Sequence, residues 1–546
     1  MGKNTHDKNF SETAVDILLV LLDIVVSLYM LLITAVLPLY FQSGYEHIGS
    51  DKSYFFRQVS FKIGILAYAL LLLYILFRLS AGRCSIHLIM RRLSVTDIFA
   101  VIYAVGVVLS YFCSEYKEEA LIGTEKWYMG TLPQLTFVSI YFFVSRFWKK
   151  HIWIPAMALL VSCVVFLLGI LNRFGIFPID MKIHNAAFIS TIGNINWYCG
   201  YAVTVFFAGI SVWWLSASIK KAYALLFAAY TAIGFATLVT QGSDSGLFTL
   251  ALVLIVMLCL SARWTNMLRF AEIICILSAA CVLTGLIAGY TPFGEAFEQN
   301  ITEYPMVRVM TGSSITVIMA VTAFAFLLLL LLYKRGGRSN ISDNAPMFKR
   351  VRYICAGAAT LAGITVTVFT VVNTCMHGSL TSGAGTAVDS ILNFTIDWGS
   401  GRGASVRAAV WSFAEQNLLH KLVGVGADCM SAYIYGSGSD RVLSVVTEKF
   451  GTLRLTNAHN EWLTILLNQG ILGVVSFAGM ICSAIYRYIN KREVNVIAAA
   501  CGMGVLAYTL NNIFSFQTSV NTPTMFIMLG MGEGLMRNAK HKRKQI

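Results

Sequence analysis

The chain has 546 residues, of which 57% are apolar and only 12% charged, and its mean hydropathy is +0.70. Soluble proteins carry about 25% charged residues, so this composition excludes an ordinary soluble enzyme, a secreted disulfide scaffold and a disordered chain. Many apolar runs approach the ~20 residues that cross a bilayer as a helix. The sequence therefore predicts an all-α polytopic membrane protein.

Taken in chain order, the apolar runs predict about 14 transmembrane helices. The first apolar run is too long for a cleavable signal peptide and is expected to remain as a span. The predicted spans are residues 14–40, 60–78, 95–113, 129–145, 152–171, 196–216, 222–241, 246–262, 270–290, 313–333, 352–374, 460–486, 494–511 and 519–536.

The net charge of +14 is explained by topology rather than by nucleic-acid binding. Of the 41 Lys and Arg residues, 27 lie in the tails and short loops on the side of the two termini. The positive-inside rule then predicts that both termini are cytoplasmic.

One loop divides the chain into three parts. Residues 1–374 hold the first eleven predicted spans, residues 375–457 form a single large extracytoplasmic loop, and residues 458–546 hold the last three spans and a basic tail. Long ordered loops usually carry function. Within this loop, Val406, Val410, Phe413 and Ala414 follow helical spacing, which predicts an amphipathic helix near the membrane surface.

The segment WGSGRGASVRAAVW, residues 398–411, is a candidate phosphate-binding site. Arg402 and Arg407 stand among glycines that allow close approach of a ligand, and arginine is suited to bidentate recognition of phosphate. The alternative is an arginine paired with Asp397 or with lipid headgroups, beside a glycine turn.

The segment TNAHNEWLTILLNQGILG, residues 456–473, begins the next apolar helix. With Thr456 or Asn457 as N-cap, His459, Asn460 and Glu461 fall in the first helical turn, where the helix dipole favours a neutral imidazole. Such a histidine can accept a proton from a hydroxyl. The alternative is a purely structural cap.

The segment FISTIGNINWYCGY, residues 188–201, offers Asn194 and Asn196 as amides for sugar hydroxyls and Trp197 as a ring to stack on a sugar face. On spacing alone, a helix cap with an interfacial aromatic residue is favoured. Asp244 lies in a tight turn after the seventh span. Asp23 lies deep in the first span with no partner that the sequence identifies.

Motifs for nucleotide and metal chemistry are missing from the sequence. GxxxxGKS/T, HExxH and GxSxG do not occur, and the 12 cysteines show no paired spacing. We therefore expect no cofactor and no metal.

Together and in this order, these segments resemble the bacterial O-antigen ligase and O-antigen polymerase family of polytopic glycosyltransferases. The resemblance covers roughly residues 185–480. Its motifs are G-N-x-N-W at 193–197, S-D-S-G at 243–246, the W-G-S-G-R-G stretch, G-V-G at 424–426, A-H-N-E at 458–461 and G-I-L-G at 470–473.

The resemblance implies a GT-C-like, metal-independent glycosyltransferase of cell-surface polysaccharide biosynthesis in the cytoplasmic membrane. It would move a glycan from an undecaprenyl pyrophosphate carrier to an acceptor hydroxyl at the outer face. The catalytic arginine of the family maps to Arg402 and its histidine to His459, with Glu461 in support. Arg407 is a second candidate for the pyrophosphate.

The chain departs from the family at Asp244, because many members carry arginine in that turn. Another base would then bind pyrophosphate here, and Arg308 or Arg173 is a candidate. Asn194, Asn196, Trp197 and Asn460 are the candidate sugar-binding residues.

Two rival functions stand beside O-antigen ligation. A polymerase of the same family would share the donor and differ in its glycan, lipid or cell-wall acceptor. A polysaccharide transporter or flippase would need ionisable residues along a path through both halves of the bilayer. Here the candidate residues gather on the outer side, which favours the transferase.

Overall fold

The computed structural model describes residues 5–80, 93–125, 127–183, 186–216, 219–261, 263–301, 401–492 and 495–543, with isolated residues between 307 and 361. The predicted spans 313–333 and 352–374 lie largely outside the described residues, and Arg308, Asp397 and Trp398 lie wholly outside them.

Helices dominate the described chain. The first part contains α1 (Thr5–Leu31), which continues through a π-helical turn (Leu32–Val36) into α2 (Leu37–Leu39), a 3-10 turn (Gly44–His47), α3 (Ile48–Ser80), α4 (Val95–Cys113), α5 (Lys117–Ile122), α6 (Thr131–Phe147), α7 (Trp153–Arg173), α8 (Ile195–Leu215), α9 (Lys221–Thr240), α10 (Asp244–Leu260), α11 (Trp264–Ala288) and α12 (Thr291–Ile301). A two-residue hairpin of β1 (Phe188–Ile189) and β2 (Gly193–Asn194) precedes α8, with Phe188 opposite Asn194.

The large loop and the C-terminal part follow. They contain α13 (Gly401–Glu415), α14 (Leu418–Val423), α15 (Met430–Ser437), α16 (Asp440–Phe450), α17 (Glu461–Asn490), α18 (Val496–Asn511) and α19 (Asn521–Arg543).

Eight of the described helices are long and apolar enough to cross a membrane, and α10 and α18 are shorter apolar helices. Every predicted span within the described ranges lies on a helix. Long apolar runs form helices in a membrane because a helix satisfies its backbone hydrogen bonds within one segment. The chain is an all-α, multi-pass membrane protein. The count of fourteen spans remains a prediction.

The helix α17 is broken near its start. Gly470 adopts φ 68° and ψ −170°, which interrupts the helical hydrogen bonds. The loop segment 424–426 binds at the break, where Val425 N donates to Leu467 O at 3.2 Å and Gly426 N to Asn468 O at 3.0 Å. A Cβ atom on Gly424 would lie 2.2 Å from the backbone of Asn468. The glycines of the G-V-G and G-I-L-G motifs thus allow the large loop to dock on the broken helix.

The predicted amphipathic helix of the large loop exists as α13, but its packing differs from the prediction. The small residues Ala404, Ala408 and Ala409 are buried, whereas Val410 is 46% exposed. Small side chains let this helix lie close to its neighbours α16 and α17.

A buried ion cluster joins the ends of four helices far from the start of α17. Asp97 forms ion pairs with Arg146, at 2.9 Å, and with Arg537. Glu533 accepts from Arg487 at 2.7 Å and forms an ion pair with Arg537 at 3.2 Å. Both carboxylates are fully buried, and a buried charge needs a partner. Guanidiniums from other helices, and for Glu533 also from the next turn of its own helix, compensate the two charges.

Asp23, for which the sequence identified no partner, binds the segment between α6 and α7. His151 Nε2 lies 2.8 Å from one carboxylate oxygen, and Lys149 N donates to the other at 2.8 Å. The aspartate therefore ties the first span to the α6–α7 connection.

Candidate functional site

Arg402 and Asn196 come together although they are far apart in the chain. Arg402 stands in the first turn of α13 and Asn196 in the first turn of α8. An Arg402 guanidinium nitrogen donates to Asn196 Oδ1 at 3.2 Å. The large loop therefore places its arginine over the start of α8, and two of the predicted site segments form one site.

The S-D-S-G turn completes this side of the site. Ser243 Oγ donates to Asn196 Oδ1 at 3.1 Å, so the amide oxygen accepts from two groups. Burial lowers the pKa of Arg402, and the nearby Asp244 carboxylate opposes that shift. Because the guanidinium stays charged, the site combines one cation with one acidic group.

His459 lies beside this arginine, just before α17. Its backbone has φ 49°, a left-handed conformation that is uncommon for histidine. Burial, and then the positive charge of Arg402, lower the pKa of His459 to about 4. Its Nδ1 atom is buried and has no hydrogen-bond partner in the described part of the chain. Burial and the charge of Arg402 therefore keep the imidazole neutral at pH 7.

One aromatic ring contacts the histidine, and two more continue from that ring. The ring of Phe516 meets that of His459 edge-on, with centroids 5.5 Å apart. Trp127 contacts Phe516 at 5.0 Å and Trp197 at 5.6 Å, both edge-on. The Trp197 Nε1 atom is buried without a hydrogen-bond partner among the described residues. The site thus has an apolar, ring-lined wall next to its polar groups.

Glu461, a predicted catalytic residue, is buried in a hydrogen-bond network. It is the first residue of α17, rather than a residue deeper in the first turn, and it is 2% exposed. One carboxylate oxygen accepts from Gln517 Nε2 at 3.0 Å and from the Tyr508 hydroxyl at 3.2 Å, and the other accepts from Asn512 Nδ2. The side chain therefore anchors the segment 508–517, which also carries Phe516.

The asparagines divide into two helix caps and one residue that contacts Arg402. Asn460, rather than Thr456 or Asn457, caps α17, and its Oδ1 accepts from Leu463 N at 3.0 Å. Asn194 caps α8 and accepts from Asn196 N at 2.9 Å. The structural alternative holds for Asn194 and Asn460, while Asn196 contacts the arginine.

Two other candidate arginines, Arg407 and Arg173, do not join Arg402. Arg407 follows five residues later in the same helix, which places it about 140° around the axis. Its Nε is buried without a hydrogen-bond partner among the described residues. Arg173 is 1% exposed and donates to backbone oxygens, including Thr240 O at 3.0 Å and Ala186 O at 2.8 Å. Arg173 therefore holds loops together, which corrects its candidacy as a phosphate ligand.

Two aromatic residues of the site were not predicted from the sequence. Trp127 and Phe516 lie in short connections outside the recognised motifs, and no local pattern distinguishes them from interfacial aromatic residues. Their position between two short apolar segments is the only signal that the sequence offers. Phe516 contacts His459, and Trp127 contacts Trp197, only once the helices have packed.

Among the described residues, no group of three or more His, Cys, Asp or Glu side chains is arranged to hold a metal ion. The donors that converge here are a guanidinium, a neutral imidazole, an amide and a hydroxyl. Such a set is suited to binding an oxyanion and a hydroxyl group.

No protein-family model matches the chain, and no curated protein matches it. The fold and the site define an integral helical membrane protein with a cluster of polar side chains at one end of its bundle.

Proposed function

We propose that this protein transfers a glycan from a polyprenyl diphosphate carrier to an acceptor hydroxyl at the membrane surface. The observation that carries the proposal is the convergence of Arg402, Asn196 and His459 from three separate segments. The resemblance of those segments to the O-antigen ligase and polymerase family supplies the substrate class.

In the proposed reaction, the bond between the anomeric carbon and the diphosphate oxygen breaks while the acceptor oxygen forms a bond to that carbon, with inversion. Negative charge grows on the departing diphosphate. A guanidinium held by Asn196 stabilises this charge without reorganising, as donors in an oxyanion hole do.

The acceptor proton needs a base. His459 is neutral at pH 7 and therefore able to accept it. A pKa near 4 makes a weak base, so the proton moves late, when bond formation has made the acceptor oxygen acidic. The ring-lined wall of Trp127, Trp197 and Phe516 offers apolar faces for the sugar.

Asp244 fits this scheme as a counter-charge. Its carboxylate acts on Arg402, and a diphosphate would compete with it for the guanidinium. Its presence where many relatives carry arginine leaves Arg402 as the principal cation of the described site. In this proposal both termini lie in the cytoplasm and the site opens at the outer face.

The test is an assay with purified protein, a polyprenyl diphosphate oligosaccharide and an acceptor, with chelator present and no nucleotide. We expect release of polyprenyl diphosphate in step with a glycosylated product. If the carrier stays intact with every acceptor offered, the proposal is wrong.

The acceptor separates the two forms of the proposal. A polymerase consumes single repeats as both donor and acceptor, and its loss leaves single-repeat chains in the cell. A ligase needs a different acceptor, and its loss leaves long chains on the lipid carrier. Movement of intact carrier-linked glycan across vesicles without product would favour the transporter.

A further inference from the structure

A groove on the lipid-facing side of the bundle lies apart from the polar site. It has a volume of about 800 Å³ and is enclosed by α1, α3 and α6. Its walls include Val25, Phe61, Gly64, Leu132 and Phe143. This size is within the range of small-molecule pockets.

The polar side chains of the groove walls are almost all satisfied within the protein. The hydroxyls of Tyr29 and Ser60 lie 2.9 Å apart, and Thr136 and Ser139 each donate to a carbonyl of their own helix at 2.8 Å. The groove is therefore a hydrocarbon surface along most of its length.

Arg57 is the exception. Its Nε is buried without a hydrogen-bond partner, and no carboxylate pairs with it among the described residues. The guanidinium carbon lies 3.9 Å from the ring centroid of Tyr128, which holds the charge at one end of the groove. A cation within a candidate span is costly unless an anion accompanies it.

The geometry gives the groove a charged end and an apolar end. From Arg57 to Tyr68, both of which line it, α3 advances about 16 Å. Tyr128 follows Trp127, so the charged end lies on the same side of the membrane as the polar site.

We propose that this groove binds an anionic phospholipid of that leaflet, with the phosphate on Arg57 and an acyl chain along α3. A single guanidinium at the end of an otherwise apolar channel matches one phosphate joined to a hydrocarbon chain. Arginine binds phosphate through two parallel hydrogen bonds. The site does not depend on the proposed catalysis.

The experiment uses full-length protein taken from vesicles of equal phosphatidylglycerol and phosphatidylcholine, with retained lipid measured by native mass spectrometry. We expect wild type to retain phosphatidylglycerol preferentially. Arg57→Gln should lower that retention about tenfold or more, because a charge-assisted contact is lost. The control Arg78→Gln removes an arginine beside Tyr74 in the same helix, outside the groove, and should change nothing.

A second variant blocks the chain without removing charge. A Cβ atom on Gly64 would meet no other atom within 4 Å, so Gly64→Trp fills the groove without displacing protein atoms near the backbone. Retention of both lipids in the groove should fall, while Leu72→Trp, on an exposed part of α3, should not alter it. Retention at wild-type level in Arg57→Gln, or in Gly64→Trp, would overturn the proposal.

Discussion

The guanidinium of Arg402 donates to the side-chain oxygen of Asn196 at 3.2 Å, across 206 residues of sequence. The amide orients one edge of the guanidinium, and in the proposed function the remaining N–H groups bind the diphosphate. Arginine presents five donors in a planar fork, so orientation and binding are possible at once.

Replacing Arg402 tests this arrangement. We expect Arg402→Ala to lower kcat about 10²–10³-fold, as loss of one charge-stabilising donor typically does. Arg402→Lys should also be impaired, because a single ammonium cannot replace the planar fork. The measurement is release of polyprenyl diphosphate. The control is Arg441→Ala, which removes an arginine stacked on Trp411 at 3.8 Å in the same loop and should retain activity. Equal losses of activity in the Arg402 and Arg441 variants would argue against the site.

The neutral state of His459 predicts an unusual pH profile. Because its pKa lies at about 4, kcat/KM should not fall with an ordinary histidine midpoint near 6.5 as the pH is lowered from 8 to 5.5. His459→Ala should abolish transfer, whereas His420→Ala, a histidine of the same loop in α14, should not. A fall in kcat/KM centred near pH 6.5 would contradict the buried, neutral imidazole.

Glu461→Gln separates anchoring from catalysis. The variant places an amide NH₂ among three donors, so we expect about 1–3 kcal/mol less stability and a lower melting temperature. Activity should decline with that stability as Phe516 loses its position. The exposed Glu448→Gln is the control. Complete inactivity at an unchanged melting temperature would instead support the direct role that the sequence suggested.

Asp428 predicts a pH-dependent stability. It accepts from Thr124 N at 2.8 Å and from Met129 N at 3.0 Å, and burial raises its pKa to about 7. The unfolded group has a pKa near 3.9, so its contribution to stability is fully present below about pH 4 and is lost as the pH rises towards 7. Asp428→Asn keeps an accepting oxygen and should remove this slope of stability against pH. Melting temperatures from pH 4.5 to 7.5 measure it; an identical slope in the variant would exclude Asp428 as its source.

The ion cluster at the other end of the bundle predicts a large stability effect. Asp97→Asn would leave Arg146 and Arg537 facing a neutral amide, at a cost of about 3–5 kcal/mol. Asp16→Asn, at an exposed position in α1, should cost little. Thermal unfolding in detergent compares them, and equal melting temperatures would show that the cluster adds no stability.

The class of the protein follows from the sequence alone, and the location of its helices almost as directly. Long apolar runs have few alternatives in a bilayer, since only a helix satisfies their backbone within one segment. The predicted span 95–113 coincides with α4. The sequence also named Arg402, Asn196 and His459 as candidates, Arg402 by its glycine-rich surroundings and the other two by their places at the starts of apolar helices.

Only the tertiary structure decided how these groups are used. The break at Gly470, the partner of Asp23 and the wall of Trp127 and Phe516 depend on contacts between segments distant in sequence. The local spacing of apolar residues does not predict such contacts. Near a helix end, the sequence of a side chain that caps the helix, like Asn460, does not differ from that of one that contacts another segment, like Asn196. Only the packing of the helices distinguishes the two roles.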